Sequence, residues 1–459
     1  MKKNIKYTIL TLLMSILIFS GCEKWIDTDL NIDPDVPSEV PMDLLMPSME
    51  LSLAYHIGGN RTVKTTAILL QQINGVARNS NSEANYVLAS TDVDDLWRRM
   101  YYMGMMDAVK VIDMAAELES PHYSGAAKVC LAMSLGTMTN LFGDIPYSEA
   151  FLGSEGVLTP AYDSQQNIYA AINILLSEAI TDLGASENVF DIEGDLIYDG
   201  DTDDWIKAAY ALRARYALYQ GNYTDALGYL ANSFAPGENF KIDFGTEDNE
   251  ANPIFQYNTL SAWGADIAMA STFIDMLNGV NDPRLPFFAD LQGGIYVGSI
   301  PGSEDDDVSD LGDYNDTPEA PVLFSSYAEM KFIEAECYLQ QAVPDNDAAA
   351  TAYKVAVAAS LDYVTGGGAG NAAWLTANIA IEDGTTITLE KIIGQKYIAM
   401  YSTVVPYDDF RRTGYPVLVP VAGAGAIPQR FPYPQSEISY NSANVPSIAS
   451  LTEALWIFD

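Results

Sequence analysis

The chain has 459 residues, 49% of them hydrophobic, and sets 62 Asp and Glu against 23 Lys and Arg for a formal net charge of −39. That length allows one to three domains around a large core, and that charge repels nucleic acid and anionic lipid while favouring neutral or cationic ligands. With two histidines and three cysteines, His-rich zinc sites and Ser-His-Asp catalysis are poorly supplied, and no GxGxxG or GxxxxGK[ST] phosphate loop occurs.

Lys2, Lys3 and Lys6 precede an apolar run from Tyr7 to Phe19, and Ser20-Gly21 supply small residues before Cys22. Residues 1–21 therefore read as a signal peptide. About 13 apolar residues are too few to cross a ~30 Å hydrocarbon core. Phe19-Ser20-Gly21-Cys22 resembles a bacterial lipobox, with phenylalanine where leucine is usual, so Cys22 is the expected lipidation site. At about 0.8 kcal/mol per buried CH2, two or three acyl chains hold a protein on a bilayer. The competing reading is a secreted protein with a chance cysteine beside its cleavage site. Residues 22–50 read as an anchor lead. Within it Asn31 to Pro47 carries four prolines and many acids and is expected to be extended.

Helical periodicity dominates from residue 51 onward. DDLWRRMYYMGMMDAVKVIDMAAEL and GAAKVCLAMSLGTMTNLF predict two long helical stretches over 94–141. After Asp163, the residues Ile168, Ile172, Leu175, Ala179 and Leu183 fall on one face, and Asp163 with Gln166 resembles a capping box. In DDWIKAAYALRARYALYQGNYTDALGYLANSF, Trp205, Ala209, Leu212, Tyr216 and Tyr219 form one apolar stripe. Gly221 ends that helix, and Tyr223, Ala226, Leu227 and Leu230 begin a shorter one. This is a helix–turn–helix unit of tetratricopeptide type. SSYAEMKFIEAECYLQQA and AAATAYKVAVAASL give a second such unit over 326–362, and TLEKIIGQKYIAMY a further helix at 388–401. Cys130 and Cys337 lie in apolar helical patterns and read as buried free thiols, and GGGAG at 366–370 as a loop.

The predicted fold class is mainly α, one composite domain over 51–459. Tetratricopeptide-like helix pairs fall at about 94–141, 163–235 and 326–362, and loop-rich segments at 236–325 and 406–459. Stacked helix pairs bury a continuous core and leave a concave face plus loops.

Several stretches, in this order, carry a family resemblance: FGDIPYSEAF (142–151), YDSQQNIYAAINILLSEAI (162–180), DWIKAAYALRARYALY (204–219), NDPRLPFF (281–288), YAEMKFIEAE (327–336), IIGQKYIAMYSTVVPYDDFRRTGYP (392–416) and RFPYPQSE (430–437). Together with the opening CEKWIDTDLNIDP they resemble the SusD/RagB family of outer-membrane nutrient-binding lipoproteins, in its shorter, SusD-like branch. The resemblance implies a non-catalytic lipoprotein on the cell exterior, acting as a lid over a SusC-like TonB-dependent β-barrel transporter and capturing a ligand, usually an oligosaccharide. The motif residues themselves have structural readings. Asp144 is expected to accept backbone N–H bonds, Arg284 to meet a carboxylate, and Arg411 and Arg412 to pair with Asp408, Asp409 or other local acids.

A sugar ring presents a flat C–H face and a rim of hydroxyls, so a site for it needs exposed aromatic faces beside directional polar groups. Trp97, Trp205 and Trp456 sit in apolar patterns and read as packing, and Trp25 belongs to the lead. Loop residues are the better candidates: Arg78, Asn79, Asn81 and Tyr86 in NGVARNSNSEANYVLAST, Gln256, Tyr257, Asn258 and Trp263 in NPIFQYNTLSAWGADIAMAS, and Tyr296 after a Gly-Gly turn. Core packing or transporter contact is their competing role. Asp305, Asp306, Asp307 and Asp310, with Asp313 and Asp316 nearby, could bind a structural Ca2+, although the spacing is not that of an EF-hand and such runs are usually solvated. No other cofactor is expected. The alternatives to glycan capture are a peptide or other non-glycan nutrient, a surface hydrolase, and a repeat scaffold that binds only protein.

Overall fold

The computed structural model describes residues 40–261 and 264–459. The signal segment, Cys22, Trp25, the first part of the lead and Trp263 lie outside the described residues.

The lead is not extended throughout: Met42–Ser52 is a helix, α1. Its Met42, Leu45, Met46 and Met49 recur at helical spacing and bury in the core, which outweighs the backbone bond that Pro47 removes. A π turn, Leu53–Ile57, continues it. Then come α2 (Val63–Leu69), strand β1 (Ile73–Gly75), α3 (Arg78–Ala84) and α4 (Asp94–Arg99). A second π turn, Met100–Met105, joins α4 to α5 (Met106–Glu117), and α6 (Pro121–Phe142) follows.

Helix α6 is buried along almost its whole length and packs against α5, α7 (Gln165–Leu183) and α8 (Thr202–Tyr219). Gly136 makes the last approach feasible, because a Cβ there would come within 2.1 Å of the Tyr216 hydroxyl. Ser164 caps α7 by accepting from the Asn167 N–H. Asp163, expected in that role, instead accepts from the N–H groups of Tyr147 and Ser148 across the preceding loop. That use satisfies two loop donors where the cap needs only one acceptor. Asp144 accepts from the Gln165 N–H at 2.8 Å.

Helix α9 (Tyr223–Leu230) completes the pair begun by α8. Strand β2 (Asn239–Ile242), the short α10 (Pro253–Phe255) with its π turn Gln256–Leu260, strand β3 (Ile267–Met269), α11 (Ser271–Asn278) and α12 (Leu285–Phe288) make up the irregular middle of the chain. Strand β4 (Val322–Ser326) pairs antiparallel with β2 and leads into α13 (Tyr327–Gln340). With α14 (Asn346–Thr365), α15 (Ala369–Asn378) and α16 (Leu389–Ala399), α13 encloses a second apolar cluster of Phe332, Tyr353, Val357, Trp374 and Ile392. Gly366 to Gly368 form a loop, but α15 already starts at Ala369. Helix α17 (Val405–Thr413) occupies sequence expected to be loop. Pro406 stands in its first turn, where a missing N–H costs nothing. Helix α18 (Gln435–Tyr440) lies near the C-terminus.

The core is closed by buried ion pairs. Arg215 on α8 grips Glu329 on α13 with two bonds of 2.6 Å and donates to the Phe324 carbonyl at 2.7 Å. Arg284 meets Asp282 at 2.7 Å and also reaches Ser360 and Gln395. Lys396 pairs with Asp409 at 2.8 Å, Asp409 with Arg412 at 2.8 Å, and Arg412 with Glu336. Arg411 pairs with Asp408, whose other oxygen accepts from Asn140 at 3.0 Å. Trp97 and Trp205 are buried. Trp456, expected to pack, is 47% exposed and meets Tyr169 only edge-on, because the final short helical turn leaves its outer face to solvent. Cys130 and Cys337 are buried and unbridged.

One buried carboxyl is different. The loop 184–201 is organised by Asp195, which accepts from Ile197, Tyr198, Gly200 and the Trp205 indole. Against it lies Glu50 of α1, fully buried, with one oxygen taking the Leu196 N–H at 2.7 Å. Burial, and then the charge of Asp195, push the Glu50 carboxyl well above the usual carboxylate range. A raised folded-state value means that the fold favours the protonated form. The stability it supports is present in acid and is lost as pH rises from the ordinary value through the folded one. Glu50→Gln should therefore match the parent in thermal stability near pH 4 and exceed it increasingly toward pH 8, read from melts at each pH. Arg215→Met leaves Glu329 buried without its partner and should lower unfolding free energy by about 3–5 kcal/mol in urea titrations.

Candidate functional site

Two short strands, Ile73–Gly75 and Ile267–Met269, far apart in sequence, build the site. β1 pairs antiparallel with β3 in the register Ile73↔Met269, Asn74↔Ala268 and Gly75↔Ile267. The ladder sets the segment 76–92 beside the segment 252–266. Gly75 is required at the turn into α3, since a Cβ there would meet the Ser80 carbonyl at 1.8 Å. The second segment is held by Asn252, which accepts from the N–H groups of Ile254 and Phe255. Its π turn carries Tyr257. π turns of this kind recur at functional sites because the extra residue re-aims a side chain.

Between these segments and α2 lies an open polar cleft of about 310 Å³. Lys64 of α2, Arg78 and Glu83 of α3, Tyr257 and Asp266 line it, with Asn60, Arg61, Asn79 and Asp92 at its edges. Lys64 pairs with Glu83 at 2.8 Å, donates to Ser80 at 3.2 Å and stands 5.5 Å from the Tyr257 ring centre. The Tyr257 hydroxyl lies 3.2 Å from that of Ser80 and donates to Asp266 at 3.4 Å. Arg78, at φ +48°, pairs with Asp266 and reaches the Gly264 carbonyl. At the rim Arg61 pairs with Asp95 at 2.9 Å. Burial alone would raise Asp95, but hydrogen bonds from Arg98 and Arg99 and the Arg61 charge hold it below the usual range. His56, in the π turn after α1, is brought down to about 4, first by burial and then by the charge of Arg99. The result is a half-exposed aromatic ring framed by charged donors and acceptors already fixed in place. It can hold a ligand by stacking and directional hydrogen bonds.

Of the sequence candidates, the fold brings Arg78 and Tyr257 together. Asn81 donates to the carbonyls of Gly75, Gly302 and Ser303. The Tyr86 hydroxyl accepts from the Val421 N–H. Gln256 donates to Tyr55 and Ala251, and Asn258 to Asp316. Tyr296 packs against the core. Among the described residues no group of three or more His, Cys, Asp or Glu side chains is placed to hold a metal ion. Asp305, Asp306, Asp307 and Asp310 are all exposed, and Asp307 takes a bond from Gln292. Sequence reading missed Lys64, Glu83 and Asp266. A lone lysine in the buried VKTTAIL helix was the available signal, because a buried cation needs a partner.

The comparisons fit this architecture. A sequence-family model, SusD-like, described as "Starch-binding associating with outer membrane", matches residues 34–434. Among curated proteins none matches the chain. Among solved structures, a chitin-binding protein superposes with a TM-score of 0.77 at 23% identity, over 91% of this chain and 100% of the other. A SusD/RagB family protein from Bacteroides thetaiotaomicron gives 0.78 at 21% identity, over 92% and 99%. A SusD homologue from Bacteroides fragilis gives 0.76 at 21% identity, over 92% and 100%. At these identities the superpositions speak for the fold: mainly helical, with tetratricopeptide-like pairs. With the family match covering most of its length, the chain belongs to the SusD-like family of nutrient-binding proteins associated with the outer membrane.

Proposed function

We propose that this protein is a lipid-anchored capture protein on the outer face of the outer membrane. It takes an oligosaccharide into the cleft between Arg78 and Tyr257 and delivers it, as a lid, to a TonB-dependent β-barrel transporter. The observation that carries the reading is the cleft itself. It joins an accessible aromatic ring to fixed charged hydrogen-bonding groups, the combination that a ring with an apolar face and a hydroxyl rim requires. The family description, starch-binding and outer-membrane associated, supports it. Capture occurs without cleavage: the cleft's carboxylates Glu83 and Asp266 are committed to Lys64 and Arg78. Delivery follows from differential affinity, since a ligand touching both cleft and transporter stabilises the closed arrangement by its extra contacts. Among the described residues no helix is long and apolar enough to cross a membrane, and attachment in this proposal comes from acyl chains on Cys22.

Isothermal titration against a panel of neutral oligosaccharides and a peptide mixture tests the cleft. A glycan should bind, and Tyr257→Ala and Asn79→Ala should each weaken it by up to about tenfold, the scale of one lost stacking contact or neutral hydrogen bond. Peptide binding with every glycan silent would overturn the carbohydrate assignment. Cys22→Ala should move the protein from the membrane fraction to the soluble fraction, and retention on the membrane would overturn the anchor.

A further inference from the structure

On the other side of α4 lies a second depression, of about 430 Å³. Val93 and Leu96 line the polar cleft, whereas Asp94, Trp97, Arg98 and Tyr101 line this groove. The spacing of the second set is one helix face. The groove is aromatic. The Trp97 and Tyr101 ring centres are 5.0 Å apart, those of Tyr101 and Phe151 6.3 Å, and Tyr102 stands at the rim 72% exposed. The π turn Met100–Met105 brings the consecutive Tyr101 and Tyr102 to the same groove. The Tyr101 hydroxyl is already donated to the Pro146 carbonyl at 2.7 Å, so its ring supplies surface and not a donor.

Two carboxylates border these rings. Asp94 Oδ1 accepts from the backbone N–H of Ser436 at 2.8 Å and from its hydroxyl at 2.7 Å. Glu437 Oε2 accepts from Tyr162 at 2.9 Å and Asn441 at 3.1 Å. Each carboxylate is thus fixed through one oxygen, and the other oxygen takes no hydrogen bond among the described residues. Neither meets a lysine or arginine there. The nearby cations Arg61, Arg98 and Arg99 are all drawn to Asp95, so Arg98 edges the groove without neutralising it. The polar cleft differs, because its Glu83 and Asp266 already have cationic partners. Burial, and next the charge of Glu437, hold the Tyr101 and Tyr162 hydroxyls above the ordinary phenol range.

Aromatic rings beside carboxylate oxygens that lack a counter-charge are what an organic ammonium group requires, since ring quadrupole and carboxylate both attract it, and a protein of this net charge concentrates cations near its surface. We infer that this groove is a second binding site, selective for a ligand that carries a protonated amine on a compact ring or apolar body. Tyr102 and Phe151 would receive the body, over a floor backed by the buried Trp97, and Asp94 and Glu437 the amine. The inference does not depend on what the polar cleft binds.

The test compares a glucosamine disaccharide with its N-acetylated counterpart on the purified full chain, since the pair share ring and hydroxyls and differ in the charged amine. The amine form should bind about tenfold tighter at low salt, with the advantage shrinking as salt rises. Glu437→Gln should abolish the preference while leaving neutral-glycan binding at the polar cleft unchanged. Tyr102→Ala, at an exposed position that the fold does not need, should weaken the amine form several-fold. Equal binding of the two sugars, or a preference that survives both substitutions, would overturn the inference.

Discussion

Lys396, Asp409, Arg412 and Glu336 form a chain of opposite charges that ties α16, α17 and α13 together inside the protein. In a molecule with 62 acidic and 23 basic residues, cations are the scarce component. A large share of them is spent indoors: Arg215 on Glu329, Arg284 on Asp282, and Arg411 on Asp408. Each such pair is costly to desolvate and costlier still to break. They fix helix order and register in a way that apolar contacts alone do not, because a carboxylate fork accepts only one orientation of guanidinium. The surface is left with most of the unpaired acid.

That interior lattice gives the irregular segments a rigid base. β1 and β3 are three residues each, too short to be stable alone, yet between packed helices they align two distant loops closely enough for Lys64, Ser80, Tyr257 and Asp266 to share one network. α4 then separates two concavities of different chemistry. One is polar with its charges paired, and the other is aromatic with carboxylates left open. Function resides in how loops are held, and the helical pairs are what holds them.

Much of the helical stack was legible in the sequence, since stripes such as Trp205, Ala209, Leu212, Tyr216 and Tyr219 repeat at one period, and the ordered motifs named the family. The misreadings have physical causes. Prolines made α1 and α17 look like loops, although Pro406 opens a helix and Pro47 is overruled by a buried methionine face. Asp163 has the spacing of a cap but serves a neighbouring loop. The site was legible only in part. Arg78 and Tyr257 were candidates in separate stretches, and the fold sets them in one cleft, whereas Asn81, Gln256 and Asn258 are consumed in holding local backbone and loop partners, a use no local pattern announces. π turns insert one residue and shift the helical phase, so the facing of Tyr102 and Tyr257 could not be read from periodicity. Partnerships such as Lys64 with Glu83 depend on tertiary folding.

Cys130 and Cys337 sit with no measurable exposure inside the stack, and burial holds both thiols well above the ordinary value. A thiol that does not ionise is a poor nucleophile. These two thiols are therefore shielded from disulfide exchange and alkylation for as long as the helical stack stays folded. It also means that, once Cys22 is replaced, a single cysteine introduced at an exposed position would give a clean attachment point for a spectroscopic label on the native fold.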